Sequence, residues 1–274
     1  MRGDLYRKTE AGWGSPLENI ASPPPATIYV PLYGANQPTP SDSDTLALYL
    51  FNETSGSSFQ NAITSANDLH QTAGTLHLGC VGPFGYPSSP SSPSGAIFTN
   101  GYLEDVAIVT TSVGAFEPPT SITLNLWVFL HNYRRATGDG NLLTKPYHPS
   151  AWASPYRVVA IWFDSTGVLK AQIGSTAVSV NERLVPLFEW AMLSLTYDGA
   201  SVKLYVNGQQ VSTASRTGVI PWSSGVNACP WVIGEPVGVA SAGLDARIGP
   251  VWIEQVARSV SDLGTCYKRA AKRF

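Results

Sequence analysis

The stretch EWAMLSLTYDGASVKLYVNGQQVST, residues 189–213, constrains the fold more than any other part of the chain. Between Ala191 and Tyr197, the residues Ala191, Leu193, Leu195 and Tyr197 fall on one side and Met192, Ser194 and Thr196 on the other. Period two is the period of a strand, and here it predicts a strand with one buried face. Asp198-Gly199 breaks the pattern with turn chemistry. Val202, Leu204 and Val206 then alternate with Lys203 and Tyr205. Asn207-Gly208 suits a type I′ turn, whose two central residues both need positive φ. The chain returns over 209–213. This is an antiparallel meander, with Leu193, Leu195, Leu204 and Val206 expected in the core.

The same reading places strands at 45–52, 75–80, 103–111, 122–130, 156–163, 168–173, 177–180, 231–234 and 244–253. Over 122–130, Ile122, Leu124, Leu126, Val128 and Leu130 share a face while Trp127 and Phe129 oppose them, so cover on both faces is expected there. Asp164-Ser165-Thr166-Gly167 marks a hairpin turn. Residues 53–75 read as polar and irregular, 81–95 as a Pro- and Ser-rich loop or flap, and 131–155 as a long irregular insertion. Such insertions in a compact domain are often functional. Residues 256–263 offer one short helical turn with Ser261 as a weak cap. Many antiparallel strands without a long helix imply an all-β, two-sheet sandwich.

Three segments emerge: an arm over 1–41, the sandwich over 42–267 and a basic tail over 268–274 carrying Lys268, Arg269, Lys272 and Arg273. In the arm, Pro23, Pro24, Pro25, Pro31, Pro38 and Pro40 oppose regular sheet or helix. Its apolar residues are too many for a solvated linker. The expectation is an extended arm docked on another protein or another copy of the chain, with Tyr6, Trp13, Tyr29 and Tyr33 as the assembly residues.

A formal net charge of −2 gives no global electrostatic case for nucleic acid. No run reaches transmembrane length uninterrupted, so membrane insertion is not expected. The start of the chain lacks the apolar core of a signal peptide, which leaves the Asn52-Glu53-Thr54 glycosylation pattern without a secretory context. Cys80, Cys229 and Cys266 are odd in number and have no zinc spacing. Pairing of Cys229 with Cys266 stays open.

Trp190, Leu193, Tyr197, Asp198-Gly199, Leu204, Tyr205, Val206 and Asn207-Gly208 resemble the heart of the laminin-G-like, concanavalin-A-like jelly roll. So do Ile233-Gly234, the strand after it, the tail VARSVSDLG and the opening LALYLFNETSG. The resemblance covers about 42–267 and implies a concanavalin-A-like sandwich; the fold itself hosts binding modules, adhesins, fibres and glycanases. In the arm, Gly3-Asp4-Leu5-Tyr6-Arg7-Lys8-Thr9 with Gly12-Trp13 resembles a short motif of bacteriophage tail fibres and other virion appendages.

Saccharide binding needs aromatic platforms beside convergent polar groups. Tyr133, Arg134, Tyr147, Trp152 and Tyr156 supply these around the long insertion, with Arg135, Asp139, Asn141 and His148 nearby; the competing reading is that the aromatics only pin the loop down. No cofactor is required. Concanavalin-A-like folds often hold calcium, which takes oxygen ligands. Asp105, Asp139 and Asp245 are the candidates, Asp198 being explained by its turn, and no spacing encodes a site. The glucanase relatives carry E-x-D-x-x-E on one strand, which this chain lacks. Glu104 and Asp105 are adjacent and would leave a strand on opposite faces. The expectation is therefore a non-enzymatic structural protein of a virion surface, attached to other virion proteins or to itself through residues 1–41 and binding host-surface glycans. A carbohydrate-binding adhesion module of a cellular protein is the alternative, and a glycan-processing enzyme the third reading.

Overall fold

In the computed structural model, which describes residues 8–9, 12–13, 43–64, 66–83, 95–99, 107–110, 112–133, 139–148, 156–180, 183–234 and 244–271, strands follow one another almost without interruption. They are β1 (Lys8–Thr9), β2 (Gly12–Trp13), β3 (Thr45–Tyr49), β4 (Ser58–Phe59), β5 (Leu69–Ala73), β6 (Leu76–Val81), β7 (Gly95–Thr99), β8 (Ala107–Thr110) and β9 (Ile122–Leu130). After them come β10 (Gly140–Pro146), β11 (Arg157–Phe163), β12 (Leu169–Ile173), β13 (Thr176–Ser179), β14 (Trp190–Tyr197), β15 (Ser201–Val206), β16 (Gln209–Ser215), β17 (Val232–Gly234) and β18 (Ala246–Glu254). A helix, α1 (Val260–Ala271), follows.

Two sheets pack face to face. One runs β13-β12-β11-β10-β17-β8-β5-β4 and the other β16-β15-β14-β9-β18-β7-β6, with β3 also paired to β18. Inward-pointing Leu124, Leu126, Val128, Leu193, Leu195, Leu204, Ile248 and Ile253 of the second sheet meet Leu143, Val159, Ile161, Phe163 and Ile173 of the first. Gly249-Pro250 sits where β18 slips register against β9, and a Cβ on Gly249 would stand 3.0 Å from the Trp127 Cβ. Proline is tolerated in a strand at such a bulge.

The meander forms as its sequence directs. Asn207 and Gly208 have φ of 54° and 75°, and the Asn207 Oδ1 accepts from the Met192 N–H at 2.9 Å. Asp198 closes the other turn by accepting from the N–H groups of Ala200 and Ser201 and from Lys203. Asp164 does the same for Thr166, Val168 and Lys170. At both carboxyls burial alone would raise the pKa, but the hydrogen bonds outweigh it and hold them well below the usual carboxylate range.

Several expectations need correction. Met192, Ser194 and Thr196 are as buried as their core-facing neighbours, so β14 is covered on both sides. The cover over Met192 is a helix, not a single turn. Ser259, not Ser261, caps it: its hydroxyl accepts from the Asp262 N–H, and Asp262 accepts from the Ser259 N–H. That reciprocal pair is a capping box with Asp in place of Glu. Leu263 then packs with Trp127, Met192 and Tyr205, backed by Cys266 and Tyr267 at helical spacing. The helix runs through Lys268 and Arg269 of the supposed tail, where cations suit its C-terminal dipole. The supposed irregular stretch 53–75 contains β4 and β5, and the supposed insertion contains β10, all seven of whose residues are buried. None of the three cysteines is in a disulfide. In the arm, β1 and β2 pair as a small antiparallel ladder; Tyr6, Tyr29, Tyr33 and the side chain of Trp13 lie outside the described residues.

Two outcomes follow from this packing. A Cβ on Gly208 would lie 2.6 Å from the Gly264 Cα, so the turn and the helix meet backbone to backbone. Gly208→Val should cost at least about 3 kcal/mol in urea denaturation, from strained φ plus overpacking; an unchanged midpoint would refute the contact. The depressed carboxyls contribute stability that is present above their unfolded pKa and lost as pH falls through it, because the unfolded chain then binds more protons. Asp164→Asn combined with Asp198→Asn should flatten the fall in Tm from about pH 4 to about pH 2. An identical slope in mutant and parent would contradict this.

Candidate functional site

Strand direction sorts the candidates to opposite ends of the sandwich. Gly140 pairs with Phe163, Phe163 with Leu169, Phe129 with Trp190 and Leu130 with Ala246. Residues 131–133, 139, 164–168, 183–189 and 244–245 therefore gather at one end. Residues 147–148, following Pro146, and 156, preceding Arg157, lie at the other.

At the first end the segments are tied together closely. The His131 N–H donates to the Asp245 carbonyl at 3.0 Å, and the Phe188 N–H to the Leu130 carbonyl at 2.8 Å. The His131 Nδ1 lies 2.9 Å from the Asp245 Oδ1. The Tyr133 hydroxyl donates to the Val185 carbonyl, and the Arg183 guanidinium stands 5.1 Å from the centre of its ring.

Here the outer face of the second sheet carries a row of large side chains. Residues directly opposite in an antiparallel pair project to the same face. Arg247 is opposite Phe129, and Phe129 is opposite Trp190, so the three form one transverse row. The Arg247 guanidinium lies 5.1 Å from the Phe129 ring centre, and the Trp190 ring 5.6 Å from it. His131 continues the row at 5.3 Å from Phe129, and Phe188 stands 6.2 Å from His131. Phe188 holds a positive φ of 60° and is 64% exposed; Phe129, His131, Trp190 and Arg247 are half-buried.

Neighbouring rows of that face are partly covered, and Trp190 itself packs against the edge of that cover. Next to the row, α1 covers Trp127, Met192 and Tyr205. Farther along, Asn125 donates to Glu254 and accepts from Ser194, while Arg258 pairs with Glu254 at 2.7 Å. The row is left only partly covered by the helix and the polar network, with Phe188 its exposed member.

The other candidates fall elsewhere. Asp139 accepts from Arg157 at 2.9 Å. That guanidinium also donates to Asn141 and lies 4.3 Å from the Trp162 ring, on the face of the first sheet away from the core. Tyr147 and Tyr156 are 39% and 42% exposed, and the Tyr147 N–H donates to the Tyr156 carbonyl. Near them, Lys145 is fully buried against Glu117 and the Val113 carbonyl; burial pushes its pKa down while Glu117 opposes the shift. Arg134, Trp152 and Asp105 lie outside the described residues. Asp139 is held by Arg157 and Asp245 by His131, and among the described residues no group of three or more His, Cys, Asp or Glu that could hold a metal ion converges. The sequence reading did not name Phe129, Phe188, Trp190 and Arg247 among its candidates. Alternation already set Phe129, Trp190 and Arg247 on the non-core face; nothing marked Phe188.

The model of a protein family described as the concanavalin A-like lectin/glucanases superfamily matches residues 100–264, beyond the arm. No curated protein gives a significant sequence match. Domain 4 of AbnA, an extracellular GH43 arabinanase from Geobacillus stearothermophilus solved with arabinotriose, superposes with a TM-score of 0.57 at 16% identity, over 82% of this chain and 98% of that domain. The binding domain of Paraclostridial Mosquitocidal Protein 1 gives 0.57 at 13% identity, over 82% of this chain and 52% of that one. Trypanosoma rangeli sialidase gives 0.56 at 14% identity, over 85% of this chain and 33% of the enzyme. At these identities the likeness is one of fold.

Proposed function

The chain belongs to the concanavalin A-like lectin/glucanases superfamily, and from that premise we propose that it is a non-catalytic saccharide-binding module. The observation that carries the reading is the open row Arg247–Phe129–Trp190 with His131 and Phe188 at its end. A saccharide presents flat C–H faces and a rim of hydroxyls. Rigid rings take the first, and nearby polar groups take the second. The row sits on strands fixed by the core, with Asp245 and His131 beside it. An arabinanase domain of this fold has been solved holding arabinotriose, which supports a sandwich of this kind as a saccharide holder. Hydrolysis is the weaker reading: Asp139 and Asp245, the sequence-predicted carboxylates brought to this end, are each engaged by a neighbouring side chain, and glycan cleavage normally needs a cooperating pair.

A second reading concerns address. The arm's motif, Gly3 to Trp13, supports attachment of the module to a virion surface through residues 1–41, with virion proteins or a second copy as partner.

Trp190→Ala and Phe188→Ala should each weaken binding by about 1 kcal/mol or more in calorimetry against the best ligand of a glycan array, with Phe188→Ala leaving Tm unchanged. Unchanged affinity in both, or loss in a Tyr147→Ala, Tyr156→Ala double mutant instead, would move the site to the other end. Removal of residues 1–41 should leave that affinity intact and abolish co-sedimentation with phage particles. Particle association that survives truncation would count against the arm as the attachment element.

A further inference from the structure

The described residues contain four arginines whose guanidinium lies over an aromatic ring: Arg157 on Trp162, Arg183 on Tyr133, Arg216 on Tyr197 and Arg247 on Phe129. Three of them spend their donors inside the protein. Arg157 bonds Asp139 and Asn141, Arg183 bonds the Thr166 carbonyl, and Arg216 bonds the carbonyls of Ile173 and Val219 and the Tyr197 hydroxyl. Arg247 makes no hydrogen bond and no ion pair among the described residues; the Phe129 ring is its recorded contact. Its neighbour Asp245 makes its recorded ion pair with His131. Glu189, exposed beside Trp190, is a further described acidic group next to the row.

We propose that the open row selects carboxylate-bearing saccharides, with Arg247 holding the carboxylate while the sugar ring lies across Trp190. The inference rests on the reading that this row binds saccharide. Its own content is the charge. A guanidinium backed by a ring keeps a fixed plane, and its parallel N–H pairs match a carboxylate in two-point geometry. A half-buried cation whose donors find no partner among the described residues is an incomplete site, which a ligand anion completes. The aromatic platform favours a sugar acid over an acidic peptide, since rings stack on the flat C–H faces of a sugar.

The test uses the full-length protein and calorimetry with four probes: oligosaccharides ending in a uronic acid, the same molecules with the carboxyl reduced to an alcohol, a neutral oligosaccharide panel and an oligoglutamate peptide. Reduction of the carboxyl should weaken binding about tenfold or more, and Arg247→Gln should abolish the preference for acidic over reduced probes, bringing the affinity of the acidic probes down to that of the reduced ones. Arg247→Lys, which keeps the charge and loses the fork, should fall between. Unchanged Tm in both variants guards against misfolding. Equal affinity for acidic and reduced probes overturns the inference and leaves saccharide binding standing. Binding of none of the saccharides overturns both, and binding of oligoglutamate alone reassigns the row to an acidic peptide and overturns the proposal.

Discussion

A sheet has two faces, and when both carry large apolar side chains water must be kept from both. In this protein β14 and β9 are such strands. Their inner residues, Leu124 to Leu130 and Ala191 to Tyr197 in alternation, belong to the common core. Their outer residues include Trp127 and Met192, which the facing sheet cannot reach. The helix after β18 solves that problem. Its capping box sets where it starts, its Leu263–Cys266–Tyr267 stripe meets Trp127 and Met192, and the missing side chain of Gly208 lets it come close. Burial of this kind contributes about 25 cal/mol for each Å² of apolar surface removed from water, so the helix is part of the sandwich and not an appendage.

The division of the outer face follows from the length and position of that helix. It covers the middle rows. The Asn125–Ser194–Glu254–Arg258 network closes the rows beyond. The remaining row, Arg247–Phe129–Trp190, lies at the end where the segments through His131, Phe188 and Asp245 meet. The site is thus a consequence of incomplete cover on a rigid sheet. Rigidity matters for recognition, because rings already fixed by strands need not be ordered when a ligand arrives.

Much of the fold was legible from alternation. The meander, its type I′ turn and both Asp turns are local: each rests on a few neighbouring residues, and each appears where the sequence put it. What stayed hidden depends on tertiary cover. β10 reads as a loop because Asn141, Thr144, Lys145 and Pro146 are polar or strand-breaking, yet all are buried by partners far away in sequence. The helix was hidden because only a handful of its residues are apolar, and their value appears once Trp127 and Met192 are seen to need a lid. The same lack explains the site. Alternation set Trp190, Phe129 and Arg247 on the non-core face, but which non-core residues remain open depends on where the helix stops. Tyr133, expected to bind, is tied instead to Val185 and Arg183, while Tyr147 and Tyr156 stand at the far end.

The central claim is that one row of the outer face, and not the loop over 147–156, receives a saccharide. Amide chemical-shift mapping of the isotope-labelled protein during titration with uronic-acid oligosaccharides, with neutral ones as comparison, addresses it residue by residue. The account predicts shifts clustered at 129–131, 188–190 and 245–247, with the 147–156 end silent. Shifts centred on Tyr147 and Tyr156, with the row unmoved, would contradict it.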